Sequence, residues 1–141
     1  MRKCIVMVDD DLDMHYIYQK VFQKLGLLSS LRLFENGKDA LEYLKRSADD
    51  VKIIFSDINM PVMDGIQLRT ALNNDFSFNC RTIPFIFLST SAREQEVDSA
   101  YELMVQGFFE KGTTIGEIEN AITVAMDYWN KCRVPQLYPV H

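Results

Sequence analysis

Residues 51–65 read Val51-Lys52-Ile53-Ile54-Phe55-Ser56-Asp57-Ile58-Asn59-Met60-Pro61-Val62-Met63-Asp64-Gly65. The apolar run at 52–56, centred on Ile53-Ile54-Phe55, shows no apolar/polar alternation, which is how a strand buried on both faces reads. It ends on a carboxylate, Asp57. Asp64 then offers a side-chain oxygen to the free amides of a helix start, and Leu68, Ala71 and Leu72 continue as the apolar stripe of that helix. The stretch is a buried strand, an acid-bearing loop and a helix.

Working outward, the same unit recurs. Apolar runs stand at 4–8, 31–34, 83–88 and 107–109, several rich in Ile, Val and Phe. The first helical pattern carries Met14, Ile17, Tyr18, Val21, Phe22 and Leu25 at helical spacing and is closed by Gly26. The second places Leu41 and Leu44 after an Asn36-Gly37 turn and cap. The fourth shows Val97, Ala100, Tyr101 and Met104. The last shows Ile115, Ile118, Ile122, Ala125, Met126 and Trp129, and Pro135 ends it. Five strand-then-helix repeats predict an α/β fold with a five-stranded parallel sheet covered by helices on both faces, since parallel strands need crossovers. Residues 1–131 are expected to form one domain. Residues 132–141 are expected as a short C-terminal tail, whose Val134, Leu137, Tyr138 and Val140 offer contacts to the domain or to a partner. Residues 73–82 form a connection longer than usual.

Bulk properties exclude several classes. A chain of 141 residues with 48% hydrophobic and 25% charged residues is an ordinary globular protein of one domain. No apolar run reaches the roughly 18–20 residues that span a bilayer, and the opening residues are too short for a signal peptide. A net charge of −5 with no Lys/Arg cluster argues against direct nucleic-acid binding. Cys4, Cys80 and Cys132 are odd in number and widely spaced, against a disulfide framework or zinc site and toward a reducing, cytoplasmic setting.

The polar residues fall in a telling place. In open α/β sheets ligands bind beyond the carboxyl ends of the strands. Just past those ends lie Asp9-Asp10-Asp11, Asp57, Ser89-Thr90 and Lys111, whereas the second strand delivers only Glu35-Asn36. Clustered carboxylates repel one another unless a cation intervenes. Mg²⁺ takes one or two carboxylates and reaches for phosphate oxygens. A carboxylate nucleophile, a metal, an ammonium and a hydroxyl together make a phosphoryl-accepting site. Asp11 reads as a helix N-cap more than as a ligand, Asp49-Asp50 as a solvated turn at the opposite sheet edge, and His15 as a surface residue.

These residues also carry a resemblance. Val8-Asp9-Asp10-Asp11, the run Phe55 to Gly65, Leu88-Ser89-Thr90-Ser91-Ala92 and Gly107-Phe108-Phe109-Glu110-Lys111 resemble the motifs of a response-regulator receiver domain of bacterial two-component signalling, over about residues 3 to 131. The resemblance implies a flavodoxin-like sheet of order 2-1-3-4-5. It implies that Asp57 is the phosphoacceptor. Asp10 would ligate Mg²⁺ (or Mn²⁺) directly, Asp9 through water, and Asn59 through its backbone carbonyl. Lys111 and Ser89 would contact the phosphoryl group, with Thr90 beside them, and Ser89 and Phe108 would form the switch. It further implies a sensor histidine kinase or phosphotransfer protein as donor. The downstream protein target would bind the face of the fourth helix, fifth strand and fifth helix. The chain departs from the family pattern in carrying Gly112 where proline usually follows the lysine, Thr90 where a smaller residue is common, and Phe108 in place of tyrosine. Before a glycine a cis bond would cost about 2.5–4 kcal/mol, so that loop is expected to be trans or strained.

Two other functions compete. A pseudo-receiver would keep the fold as a binding module without phosphorylation. A haloacid-dehalogenase-like phosphatase would use Asp9 as nucleophile in an Asp9-x-Asp11 motif, though such enzymes usually carry a cap on a longer chain. An EF-hand reading of Asp9, Asp11 and Asp13 fails, because Met14 and Lys20 stand where glycine and glutamate are required.

Overall fold

Strands with no polar face must be covered on both sides, and that requirement organises the molecule. The structure is a computed structural model that describes residues 2–74 and 78–135. The strands are β1 Cys4–Val8, β2 Leu31–Phe34, β3 Val51–Ser56, β4 Phe85–Ser89 and β5 Gly107–Glu110. The helices are α1 Leu12–Lys24, α2 Gly37–Ser47, α3 Gly65–Asn74, α4 Phe78–Arg81, α5 Glu94–Glu102 and α6 Ile115–Lys131. All strand pairs are parallel, in the order β2-β1-β3-β4-β5.

The period-two alternation of each strand sorts its residues into two cores. Val6, Val8, Ile54, Phe85 and Phe87 pack with Ala40 and Leu44 of α2, Leu68 and Leu72 of α3, and Ala100 of α5. Ile5, Met7, Ile53, Phe55, Ile86 and Leu88 pack with Met14, Tyr18, Val21 and Phe22 of α1 and with Ile118, Ile122 and Met126 of α6. Cys4 and Cys80 are buried thiols, and no disulfide joins the three cysteines.

Helix starts follow the local chemistry. Asp11 accepts the Asp13 amide at 2.9 Å, Asn36 that of Asp39 at 2.9 Å and Thr114 that of Glu117 at 3.1 Å. Asp64 and Gln67 cap reciprocally, at 2.8 and 2.9 Å. Asp11 and Asp64 thus serve as caps, as their positions imply.

Three boundaries differ from expectation. β4 begins at Phe85, not residue 83, because Pro84 has no amide for the ladder, while its carbonyl still accepts from Ile54 at 2.9 Å. The connection at 73–82 contains the short helix α4, so the fourth and fifth helices of the sequence reading are α5 and α6. α6 ends at Lys131, ahead of Pro135. Val134 and Pro135 then line a cleft with Arg2, Lys52, Pro84 and Trp129. Leu137, Tyr138 and Val140 lie outside the described residues.

Arg69 of α3 is buried to 3% exposure. Its guanidinium donates to the carbonyls of Leu103 at 3.1 Å and Met104 at 2.9 Å, and it lies 5.4 Å from the Phe85 ring centroid. Met104 is left-handed at φ 62°. The negative end of the α5 dipole therefore meets a buried cation where that helix turns toward β5. Charge-assisted bonds of this kind contribute about 1.5–3 kcal/mol. Arg69→Met is expected to lower the unfolding free energy by an amount in that range, read as a lower urea midpoint at unchanged slope. An unmoved midpoint would show that the desolvation cost of the guanidinium offsets its bonds.

Candidate functional site

The sheet itself delivers the polar residues to one edge. The Asp9 amide donates to the Phe34 carbonyl at 2.9 Å, the Asp57 amide to Val8 at 2.8 Å, and the Lys111 amide to Ser89 at 2.6 Å. Each site residue is thus the next rung of the parallel ladder, fixed by register before its side chain makes any contact.

There the side chains converge. Carboxylate oxygens of Asp9, Asp10 and Asp57 lie within 4.8 Å of one another. Lys111 Nζ is 2.6 Å from Asp9 Oδ2 and 3.5 Å from Asp57 Oδ2, and both pairs are buried. Asp57 Oδ1 accepts the Ile58 amide at 2.7 Å and the Ser89 hydroxyl at 2.8 Å. Asp9 Oδ1 accepts the Asp11 amide at 3.0 Å. Asp10 is exposed, and Asn59 and Thr90 stand exposed at the rim of the same cleft of about 450 Å³. Burial raises the Asp57 carboxyl above its ordinary value. Lys111 and the Ser89 hydrogen bond pull it back, and the charge of Asp9 adds to the rise.

The loop after β3 holds Asp57 through backbone approach. A Cβ at Gly65 would stand 2.1 Å from the Asp57 carbonyl oxygen and 2.7 Å from the Phe87 ring, so no other residue fits without moving the acid. The Gly65 amide bonds the Ile58 carbonyl at 2.8 Å, and the Gly37 amide bonds Met63 at 2.9 Å. Val62, exposed in this loop, takes a left-handed φ of 69° that β-branched residues rarely adopt. Phe108 sits half-buried against Phe87, with ring centroids 5.9 Å apart. There are no cis peptide bonds among the described residues, so the Lys111–Gly112 bond is trans. A Cβ on Gly112 would collide with Glu117 at 2.1 Å, which gives glycine its own reason at that position.

The model of the response regulator receiver domain matches residues 5–123. The chain belongs to the response-regulator receiver family. It is 30% identical over 122 residues to the chemotaxis protein CheY1 of Helicobacter pylori, covering 86% of this chain and 95% of that one. Among solved structures it resembles the phosphorylated cyanobacterial phytochrome response regulator RcpA, with a TM-score of 0.85, 21% identity, and 96% of this chain and all of that one covered. It also resembles the Mn²⁺-bound form of response regulator Rcp1, with a TM-score of 0.78, 22% identity, and 95% and 99% covered. The sheet order shared with these structures is the flavodoxin-like one. Membership of this family removes the haloacid-dehalogenase-like reading.

In this receiver the acidic cluster fits a hard divalent cation on its own chemistry. Three carboxylates meet one ammonium, and all the facing donors are oxygens. The residues positioned to hold such an ion are Asp9, Asp10 and Asp57, with Asn59 at the rim.

Reasoning from the sequence missed two neighbours of the site. Tyr18, read as a core residue of α1, also donates its hydroxyl to Asp9 Oδ2 at 2.8 Å. The signal was a phenol on a buried face, which must find a partner. His15, read as a surface residue, is half-buried with Nε2 2.6 Å from the Asp9 carbonyl oxygen.

The raised Asp57 carboxyl has a consequence for stability. Between its unfolded and folded pKa values the native state binds more protons than the unfolded chain, so stability falls as pH rises through that window. Asp57→Asn removes this loss. With chelator present, the variant is expected to melt above the wild type at neutral pH, and the gap should close as pH drops through the carboxylate range. A gap that grows toward acid would contradict the assignment.

Proposed function

We propose that Asp57 accepts a phosphoryl group from a phosphohistidine on a sensor histidine kinase or phosphotransfer protein, in a reaction that requires Mg²⁺ or Mn²⁺. The observation that carries this reading is the contrast between the two buried aspartates. Among the described residues, Oδ2 of Asp57 has only the 3.5 Å contact to Lys111, whereas both oxygens of Asp9 are taken at 2.6 to 3.0 Å. Asp57 therefore offers free lone pairs to a phosphorus atom.

In the transfer, an Asp57 oxygen attacks phosphorus as the P–N bond to the donor imidazole breaks, and the imidazole nitrogen leaves with the bonding pair. Lys111 supplies positive charge to the equatorial oxygens, and the Ile58 amide and Ser89 hydroxyl hold the carboxylate in line. A bound divalent ion would supply further charge neutralisation on the transferring group. Thr90 shapes the entrance at the cleft rim.

The phosphoryl group adds charge and strong acceptors. Ser89 and Lys111 are then drawn from their present partners. The Ser91 amide rests on the Ser89 hydroxyl at 3.3 Å, so a shift of Ser89 is felt in the loop to α5. Phe87 lies between Gly65 and Phe108, linking the acid's loop to the aromatic switch position by direct contact. The receiving surface is the face of α5, β5 and α6, where Tyr101, Phe108, Val124, Tyr128 and Trp129 line a cleft of about 530 Å³. Turning a mostly inactive ensemble into a mostly active one takes about 5 kcal/mol of differential binding. Residues 1–131 form the working unit, with 132–141 as a tail.

Incubation with a small phosphodonor and Mg²⁺ should add the mass of one phosphoryl group, and Asp57→Asn should abolish it. Ser89→Ala should keep uptake but flatten the accompanying change in fluorescence of the single Trp129. An unchanged intact mass for the wild type would leave the pseudo-receiver reading in place.

A further inference from the structure

Tyr18 is buried to 2% exposure among the residues packed between α1, α6 and the sheet. A phenylalanine would fill the same ring volume, so packing does not account for the hydroxyl. That hydroxyl bonds Asp9 Oδ2 at 2.8 Å, the oxygen that also faces Lys111 at 2.6 Å. Asp9 Oδ1 is held by the Asp11 amide. Of these three donors only Lys111 also reaches a second carboxylate, Asp57. Tyr18 and the Asp11 amide are fixed, while Lys111 is shared.

We propose that Tyr18 is a positioning residue of the divalent-metal centre. Its hydroxyl holds the Asp9 carboxylate in place when Lys111 turns to the phosphoryl group on Asp57. This rests on the preceding reading of Asp9, Asp10 and Asp57 as the seat of a divalent ion. Ligand carboxylates are themselves oriented by hydrogen bonds, and loss of such a partner typically costs about 10–100-fold in metal affinity. Tyr18 fits that part from beneath the site, on α1, where neither the ion nor the phosphodonor needs to pass.

The test is titration of the full chain with Mn²⁺ alone, reading free ion by its paramagnetic resonance signal. Tyr18→Phe should bind about tenfold more weakly, with its circular dichroism and its unfolding in chelator showing a native fold. In an Asp9→Asn background the same substitution should change affinity less than about twofold, because the hydroxyl acts through that carboxylate. Equal affinity of folded Tyr18→Phe and a Mn²⁺-binding wild type would overturn the role. So would a tenfold loss that persists without Asp9. A wild type that takes up no Mn²⁺ would overturn the metal centre itself, and Tyr18's part with it.

Discussion

Three carboxylates crowded onto one sheet edge, with a single ammonium among them, are the constraint on which the structure turns. Two unit charges at about 4 Å interact by about 4 kcal/mol at the effective dielectric of a protein surface, so the cluster resists its own assembly. It is held by register. The amides of Asp9, Asp57 and Lys111 continue the strand ladder to Phe34, Val8 and Ser89. Moving the backbone of any of these residues away from the others means breaking the ladder. Burial, with the charge of Asp9 adding to it, raises the carboxyl of Asp57, and a divalent cation is the simplest counterweight to the clustered charge.

The same rigidity supports the proposed route from so small a site to a distant face. Gly65 allows α3 to press on the Asp57 carbonyl, and its missing Cβ is what leaves room for Phe87. Phe87 in turn touches Phe108 on β5. Close-packed interiors transmit displacement better than they absorb it. Arg69 adds a second tie, joining α3 to the carbonyl end of α5. The helix that closes the acid's loop is therefore tied twice to the elements that carry the aromatic cleft.

Much of this was legible in the chain. The unalternating run ending at Asp57 and its four counterparts specify buried parallel strands, and the ligand rule for such sheets then groups Asp9, Asp10, Asp57, Ser89 and Lys111 without coordinates. Caps at Asp11, Asn36 and Asp64 follow from residue type. The remainder was hidden for physical reasons. Tyr18 satisfies the helical apolar period, so its ring masked its hydroxyl. Nothing in the sequence marks Arg69 for burial, because its carbonyl partners lie over thirty positions away. The α4 turn interrupts a polar stretch with no helical period to reveal it, and the close approach of Glu117 to Gly112 is something spacing does not report.

The partition of donors between the two buried acids gives the site its division of labour. A carboxylate held through both oxygens by short hydrogen bonds is a good anchor and a poor nucleophile, since attack must first break a bond. Asp9, gripped by Tyr18, Lys111 and the Asp11 amide, has that character. Asp57 is gripped on Oδ1 alone, while Oδ2 faces the cleft with one long contact. Environments that set two neighbouring acids apart in this way mark distinct chemical roles. Under the proposed phosphoryl transfer they separate an anchoring acid, Asp9, from a reacting one, Asp57, with Lys111 shared between them.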